Sequence, residues 1–229
     1  MNIPNQITLA RLVLAFVFFG LLSAYRIDAP AESRWILTVS FWLFLVAAVG
    51  DVVDGYLARS WGQVTPFGRV VDPVVDKIMV CGAFIFFSSS LFAAPGKGNV
   101  TGVAPWMVIL ILFRELAVSA IRSFMESGGE SFGANWAGKV KMSFQSTTVC
   151  VILGVVAWHE GSRFWEIVRI ICVWTTVIVT ALSLIEYLRR VQKSLLSDAA
   201  MGRVQAKRTE STLGAHAETP SAKAEGASA

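Results

Sequence analysis

The amino-acid sequence predicts an all-α integral membrane protein of about six transmembrane helices, with both termini in the cytoplasm. Of its 229 residues, 55% are hydrophobic and only 16% are charged, whereas soluble domains average about 45–50% apolar and about 25% charged residues. The mean hydropathy is +0.60. Because each membrane crossing takes about 20 residues, the length leaves room for short loops but excludes a large extramembrane domain.

Six apolar segments are long enough to cross the hydrocarbon core, and they are expected to be helices because lipid leaves backbone polar groups no other partners. In chain order they are Ile7–Tyr25, Trp35–Leu57, Val74–Ala94, Val103–Met125, Val140–Trp158 and Phe164–Leu188. The positive-inside rule favours cytoplasmic termini, because this orientation puts most Lys and Arg residues at the inner ends. Residues 1–190 are therefore expected to form the membrane domain.

The residues after the last segment differ in composition from the rest. Arg189, Arg190 and Lys193 form a basic cluster next to the membrane, which suits an anionic lipid surface. Residues 191–229 are rich in Ala, Ser, Glu, Lys and Thr, so this tail is predicted to be disordered and cytoplasmic. The net charge is only +4, and nucleic acid is not an expected partner. The three cysteines are scattered in apolar runs and predict no disulfide framework.

Four carboxylates lie in the hairpin between the second and third segments. Asp51 and Asp54 are three residues apart at the end of one helix, and Asp72 and Asp76 are four apart at the start of the next. Each spacing keeps the pair on one helix face. Charged groups in membrane helices are costly and mark functional sites. Because four converging carboxylates repel each other, the hairpin is predicted to bind a hard divalent cation, Mg²⁺ or Mn²⁺.

A structural role for these aspartates is the alternative. They would then cap helices or form ion pairs with Arg59, Arg69 and Lys77. Asp72, directly before Pro73, fits a helix N-cap followed by proline at the first helical position. Capping accounts for one aspartate and leaves three without an explanation.

The hairpin also carries one extended pattern, D-x-x-D-G-x-x-A-R from Asp51 to Arg59, then G-x-x-x-D-x-x-x-D from Gly68 to Asp76. At every defined position it resembles the signature of the CDP-alcohol phosphatidyltransferase family. The resemblance implies a six-helix enzyme of the cytoplasmic membrane that acts as a homodimer, with its active site facing the cytoplasm. Such an enzyme transfers the phosphatidyl group of CDP-diacylglycerol to an alcohol and releases CMP.

The same resemblance implies roles for individual residues. Asp51, Asp54, Asp72 and Asp76 would ligate one or two Mg²⁺ or Mn²⁺ ions, and Asp76 would also be the catalytic base on the acceptor hydroxyl. A further set would bind CDP-diacylglycerol: Asn5, Gly55, Arg59, Thr65 and Gly68.

The acceptor is predicted from other segments. The opening N-I-P-N-x-x-T-x-x-R from Asn2 to Arg11 and the later basic segments resemble the phosphatidylglycerophosphate synthase branch, which uses sn-glycerol 3-phosphate. A cluster of positive side chains suits an acceptor that carries a free phosphate. Glu115 lies seven residues before Arg122, on the same helix face, and is expected to orient it. The predicted acceptor-phosphate ligands are Arg114, Arg122, Lys139 and Lys141.

Several alternatives stay open at this stage. Arg114 and Glu115 would be structural if they formed an internal ion pair, and Lys139 and Lys141 if they only anchored a helix end at the membrane surface. The same chemistry with inositol phosphate, serine or phosphatidylglycerol as acceptor keeps the hairpin and changes the basic cluster. A cation transporter would use the four aspartates, but it would not explain the Gly, Ala and Arg of the pattern.

Overall fold

The computed structural model describes most of the chain. Its backbone is described over residues 3–60, 66–96, 98–127 and 136–217. Side chains are described over residues 6–29, 31–51, 71, 74–96, 98–123, 143–189 and 191–192. The first compact unit is Met1–Leu184, and Ile185–Ala229 forms a second unit.

Six α-helices lie in the described part of the chain, one for each predicted segment. They are α1 (Ile3–Ala24), α2 (Pro30–Ser60), α3 (Pro66–Ser88), α4 (Pro105–Ser127), α5 (Trp136–Trp158) and α6 (Arg163–Ala217). Between α3 and α4 the chain forms a 3₁₀ turn at Ser90–Phe92 and a short antiparallel hairpin of β1 (Ala93–Ala94) and β2 (Gly98–Asn99).

Most bounds differ from the sequence prediction by a few residues, and α3 begins early, at Pro66 and not at Val74. Two C-terminal ends differ as well. The third helix ends at Ser88 and not near Ala94, and the hairpin that follows satisfies its last turn. The Asn99 amide and the Thr101 hydroxyl both donate to the Phe87 carbonyl, at 2.7 and 2.8 Å, a position where helices leave carbonyls without partners. The sixth helix continues to Ala217, so residues 191–217 are helical where the sequence predicts disorder. Their Ala, Lys, Arg, Gln and Glu content favours helix.

One stripe of α1 faces the rest of the first unit. Its buried members, spaced three or four residues apart, are Thr8, Arg11, Ala15, Phe18 and Leu22. Helix α1 packs on α2 and α3, α5 packs on the same two helices, and α4 packs on α3. Gly82 of α3 permits the close approach of α1, because a Cβ there would overlap the Phe19 ring. The core is mostly aliphatic, but its largest fully buried side chains are aromatic: Phe18, Phe44, Phe84, Phe87 and Phe92.

The outer surface of the helices is apolar as well. Large side chains such as Phe16, Trp42, Phe113 and Ile171 are exposed, far beyond what a water-soluble surface carries. Among the described residues, three stretches are long and apolar enough to cross a membrane: Gln6–Ala24, Ala31–Asp51 and Arg163–Arg189. Ser143–Trp158 is a shorter apolar helix, and α4 is interrupted by the charged pair Arg114 and Glu115.

Candidate active site

The best-defined ionic contact at the carboxylate hairpin joins α1 to α2. The Arg11 guanidinium donates through Nη1 to Oδ1 of Asp51 at 2.6 Å and through Nε to the Ala47 carbonyl at 3.1 Å. Arg11 is buried, with 3% of its side chain exposed, whereas 29% of the Asp51 side chain is exposed. The contact fixes one side of the Asp51 carboxylate and leaves part of it accessible.

Asp76 of α3 lies next to a basic group. It is partly exposed, and Lys77 follows it in the same helix and donates to the Ser119 hydroxyl of α4. Asp76, Arg114 and Arg122 are charged neighbours within electrostatic range of Lys77. Among the described side chains, the structure therefore brings Asp76, Arg114 and Arg122 near Lys77 where α3 meets α4.

Much of the predicted site lies outside the described side chains. Asp54, Gly55 and Arg59 belong to the backbone of α2, Gly68 and Asp72 to that of α3, and Asn5 to that of α1, but the side chains of these positions are outside the described residues. Lys139 and Lys141 belong to the backbone of the first turns of α5, and their side chains are also outside the described residues. Thr65 lies outside the described backbone.

The chemistry of the hairpin fits a hard cation. From Asp51 to Asp76 the sequence offers carboxylate oxygens and has no Cys or His, the donor set that Mg²⁺ and Mn²⁺ prefer. The accessible part of the Asp51 carboxylate is consistent with such a ligand. Among the described side chains, no group of three or more His, Cys, Asp or Glu residues is close enough to hold a metal ion. Asp54 and Asp72 do not count toward such a group, because their side chains lie outside the described residues.

Arg114 is held inside the bundle by neutral and ionic contacts. Its Nη1 lies 3.3 Å from Oε1 of Glu115, and its Nη2 donates to the Ser183 hydroxyl of α6 at 2.8 Å. Both charged residues are only 7% exposed. The internal ion pair that the sequence left as an alternative for Arg114 and Glu115 is present within α4, and the hydrogen bond to Ser183 ties α4 to α6. Arg122, about two turns further along α4, is exposed.

Sequence reasoning missed two of these features. Arg11 is the single charged residue between Ile7 and Tyr25, and a lone charge in an apolar helix is a signal that it has a buried partner. Lys77 was considered only as a partner for the aspartates, although it stands beside the predicted base Asp76. The hydroxyls of Ser119 and Ser183 gave no signal, because serine is common in membrane helices.

A family model described as CDP-alcohol phosphatidyltransferase matches residues 1–184. The chain belongs to this family. The match spans the first compact unit, from α1 to the first part of α6, so the family fold includes both the carboxylate hairpin and the contacts of Arg114.

Relatives in this family carry a more specific name. A protein of Haemophilus influenzae is 33% identical over 199 residues, which cover 86% of this chain and 97% of that protein. A protein of Bacillus subtilis is 33% identical over 203 residues, and one of Shigella flexneri is 32% identical over 202 residues, each match covering 85% of this chain and 97% of the relative. All three are named CDP-diacylglycerol–glycerol-3-phosphate 3-phosphatidyltransferase.

Replacement of Ser183 by Ala tests the tie between α4 and α6. Ser183→Ala removes an acceptor from the buried guanidinium of Arg114, and a buried donor left without its partner costs about 1–3 kcal/mol. The melting temperature of the detergent-solubilised protein is expected to fall.

The matched control is Ser40→Ala. The Ser40 hydroxyl is buried and has no hydrogen-bond partner in the described part of the chain, so its removal should leave the melting temperature unchanged or raise it. Equal melting temperatures for the two variants would contradict a stabilising role for the Arg114–Ser183 contact.

Proposed function

We propose that this protein transfers the phosphatidyl group of CDP-diacylglycerol to sn-glycerol 3-phosphate, giving phosphatidylglycerophosphate and CMP. The observation that carries the proposal is the match to relatives named for this reaction at 31–33% identity over about 85% of the chain. The match covers nearly the full length of those relatives, so it is not confined to the carboxylate hairpin. The protein is therefore a transferase of phospholipid biosynthesis.

The donor site is assigned to the hairpin of α2 and α3. Asp51, Asp54, Asp72 and Asp76 hold one or two Mg²⁺ or Mn²⁺ ions, and the carboxylate-only donor set of the hairpin supports this assignment. When bound, the metal supplies positive charge that neutralises the pyrophosphate of the donor and stabilises the departing CMP. The residues that bind the CDP-diacylglycerol are Asn5, Gly55, Arg59, Thr65 and Gly68.

Asp76 is the general base. Its carboxylate takes the proton of the acceptor's hydroxyl while the hydroxyl oxygen forms a bond to the phosphorus that carries diacylglycerol. The bond from that phosphorus to the bridging oxygen of the pyrophosphate breaks, and CMP leaves with this oxygen. Partial exposure of Asp76 is consistent with such access. Holding the acceptor in place of water favours transfer over hydrolysis.

The acceptor's phosphate is assigned to the basic side of the site. Arg122, Lys139 and Lys141 are its ligands, and the neighbouring charge of Lys77 supports this location. Arg114, predicted from the sequence as a fourth ligand, is buried and bonded to Glu115 and Ser183, so it contributes positive charge and not a direct contact. Arg114 and Arg122 are both within electrostatic range of Lys77, and among the described side chains Arg114 pairs with the carboxylate of Glu115. A dianionic phosphate would relieve the repulsion among these cations, whereas a neutral acceptor would leave it.

The membrane arrangement completes the proposal. Residues 1–190 form a domain with six membrane-spanning helices in the cytoplasmic membrane, and residues 191–229 form a cytoplasmic tail. The basic residues at the inner ends of the helices support cytoplasmic termini and an active site that faces the cytoplasm. The enzyme acts as a homodimer, as the family resemblance implies.

Release of CMP tests the reaction directly. The detergent-purified protein, given CDP-diacylglycerol and Mg²⁺ or Mn²⁺, is expected to release CMP with sn-glycerol 3-phosphate and not with inositol 1-phosphate, inositol, serine or phosphatidylglycerol.

Asp76→Asn should abolish release of CMP, because an amide cannot accept the hydroxyl proton.

Release with a different acceptor would retain the hairpin chemistry and overturn the acceptor assignment. No release with any acceptor would favour the cation transporter. Turnover at the normal rate by Asp76→Asn would remove Asp76 as the base.

Replacement of Arg122 separates acceptor binding from donor binding. Arg122→Gln removes a charge-assisted contact to phosphate, worth about 1.5–3 kcal/mol, so the KM for sn-glycerol 3-phosphate should rise about 10-fold or more. The KM for CDP-diacylglycerol should stay near its normal value.

Arg163→Gln is the control, since Arg163 is also an exposed arginine but lies at the start of α6. It should change neither KM. Equal rises of both KM values in Arg122→Gln would assign Arg122 a structural role.

A further inference from the structure

We propose that Arg11 is the positioning residue of the metal site, holding the Asp51 carboxylate in the orientation that binds the ion. The inference rests on the metal site proposed above. It adds a residue of α1, outside the pattern from Asp51 to Asp76, to the residues that form the metal site.

The first argument is the geometry of the guanidinium. Its Nη1 and Nε reach the Asp51 carboxylate and the Ala47 carbonyl, two groups four residues apart and therefore on one face of α2. The aliphatic stem of Arg11 runs along the same face, because Cδ lies 3.7 Å from the place that a Cβ on Gly50 would take. One planar side chain thus holds both the backbone and the side chain of a single helical turn, which sets the direction of the carboxylate.

The second argument is the position of Arg11 in its own helix. It occupies a place in the buried stripe of α1 that continues with Ala15, Phe18 and Leu22. An apolar residue there would pack α1 on α2 without desolvating a charge, a cost of several kcal/mol for each buried ion. A buried arginine at a core position breaks the local pattern, and such breaks are found at functional sites.

The third argument concerns charge. Four aspartates carry more negative charge than one divalent ion neutralises, and the buried guanidinium supplies a further positive charge beside Asp51. A fixed arginine also fills one side of the carboxylate, so the ion approaches from the accessible side. Contacts of this kind orient metal ligands, and their loss weakens metal affinity about 10-fold to 100-fold.

Binding of Mn²⁺ to the full-length protein in detergent tests the proposal without any turnover. The free ion is measured by its EPR signal for the wild type and for Arg11→Met and Arg11→Lys. Arg11→Met should raise the Kd for Mn²⁺ about 10-fold or more. Arg11→Lys keeps the charge but loses the planar fork, so its Kd should be intermediate. Higher Mn²⁺ concentrations should restore CMP release by both variants.

Arg169→Met is the matched control. Arg169 is a partly buried arginine of α6 that donates to the backbone carbonyl of Val100, and its replacement should leave the Kd for Mn²⁺ unchanged. Normal Mn²⁺ affinity in Arg11→Lys and in any folded Arg11→Met overturns the positioning role. An equal loss in Arg169→Met also overturns it, because the effect would then be general. A wild type that binds no Mn²⁺ contradicts the metal site itself, and the inference falls with it.

Discussion

Ionised side chains inside an apolar helix bundle must be compensated, and this requirement organises the molecule. Lipid-facing helices offer no water to solvate a carboxylate or a guanidinium. Arg11 forms an ion pair with Asp51 between α1 and α2. Arg114 forms an ion pair with Glu115 within α4 and donates a hydrogen bond to Ser183 of α6. Arg114 and Arg122 lie near Lys77, and in the proposed reaction the phosphate of the acceptor compensates this positive charge. Contacts between opposite charges therefore serve both helix packing and substrate binding.

The helices themselves could be predicted from the sequence, because about 20 apolar residues in a row have few alternatives to helix in lipid. Most of each of the six predicted segments lies in one helix among the described residues. The end of α3 could not be predicted from hydropathy, since Leu91 and Phe92 are apolar although they lie in a 3₁₀ turn. The helix at residues 191–217 was not predicted from the sequence. A composition poor in large apolar residues indicates that a segment forms no hydrophobic core, but it does not indicate whether the segment is helical.

The site was predictable to the extent that it is local in sequence. The four aspartates follow from spacing, and they lie within the residues that the family model matches. The partner of Asp51 is 40 residues away, and such a pairing depends on how α1 crosses α2. Glu115 shows how spacing leaves alternatives open: the sequence offers both Arg122 and its neighbour Arg114 as partners, and the structure shows the pair with Arg114.

The proposed reaction depends on a divalent ion held between the four aspartates of α2 and α3. Anomalous X-ray diffraction from crystals soaked in Mn²⁺ locates such an ion. We expect one or two anomalous peaks ligated by Asp51, Asp54, Asp72 and Asp76, with Arg11 still bonded to Asp51. Full occupancy of Mn²⁺ elsewhere, or the absence of a peak at this hairpin in ion-saturated crystals, would contradict this expectation.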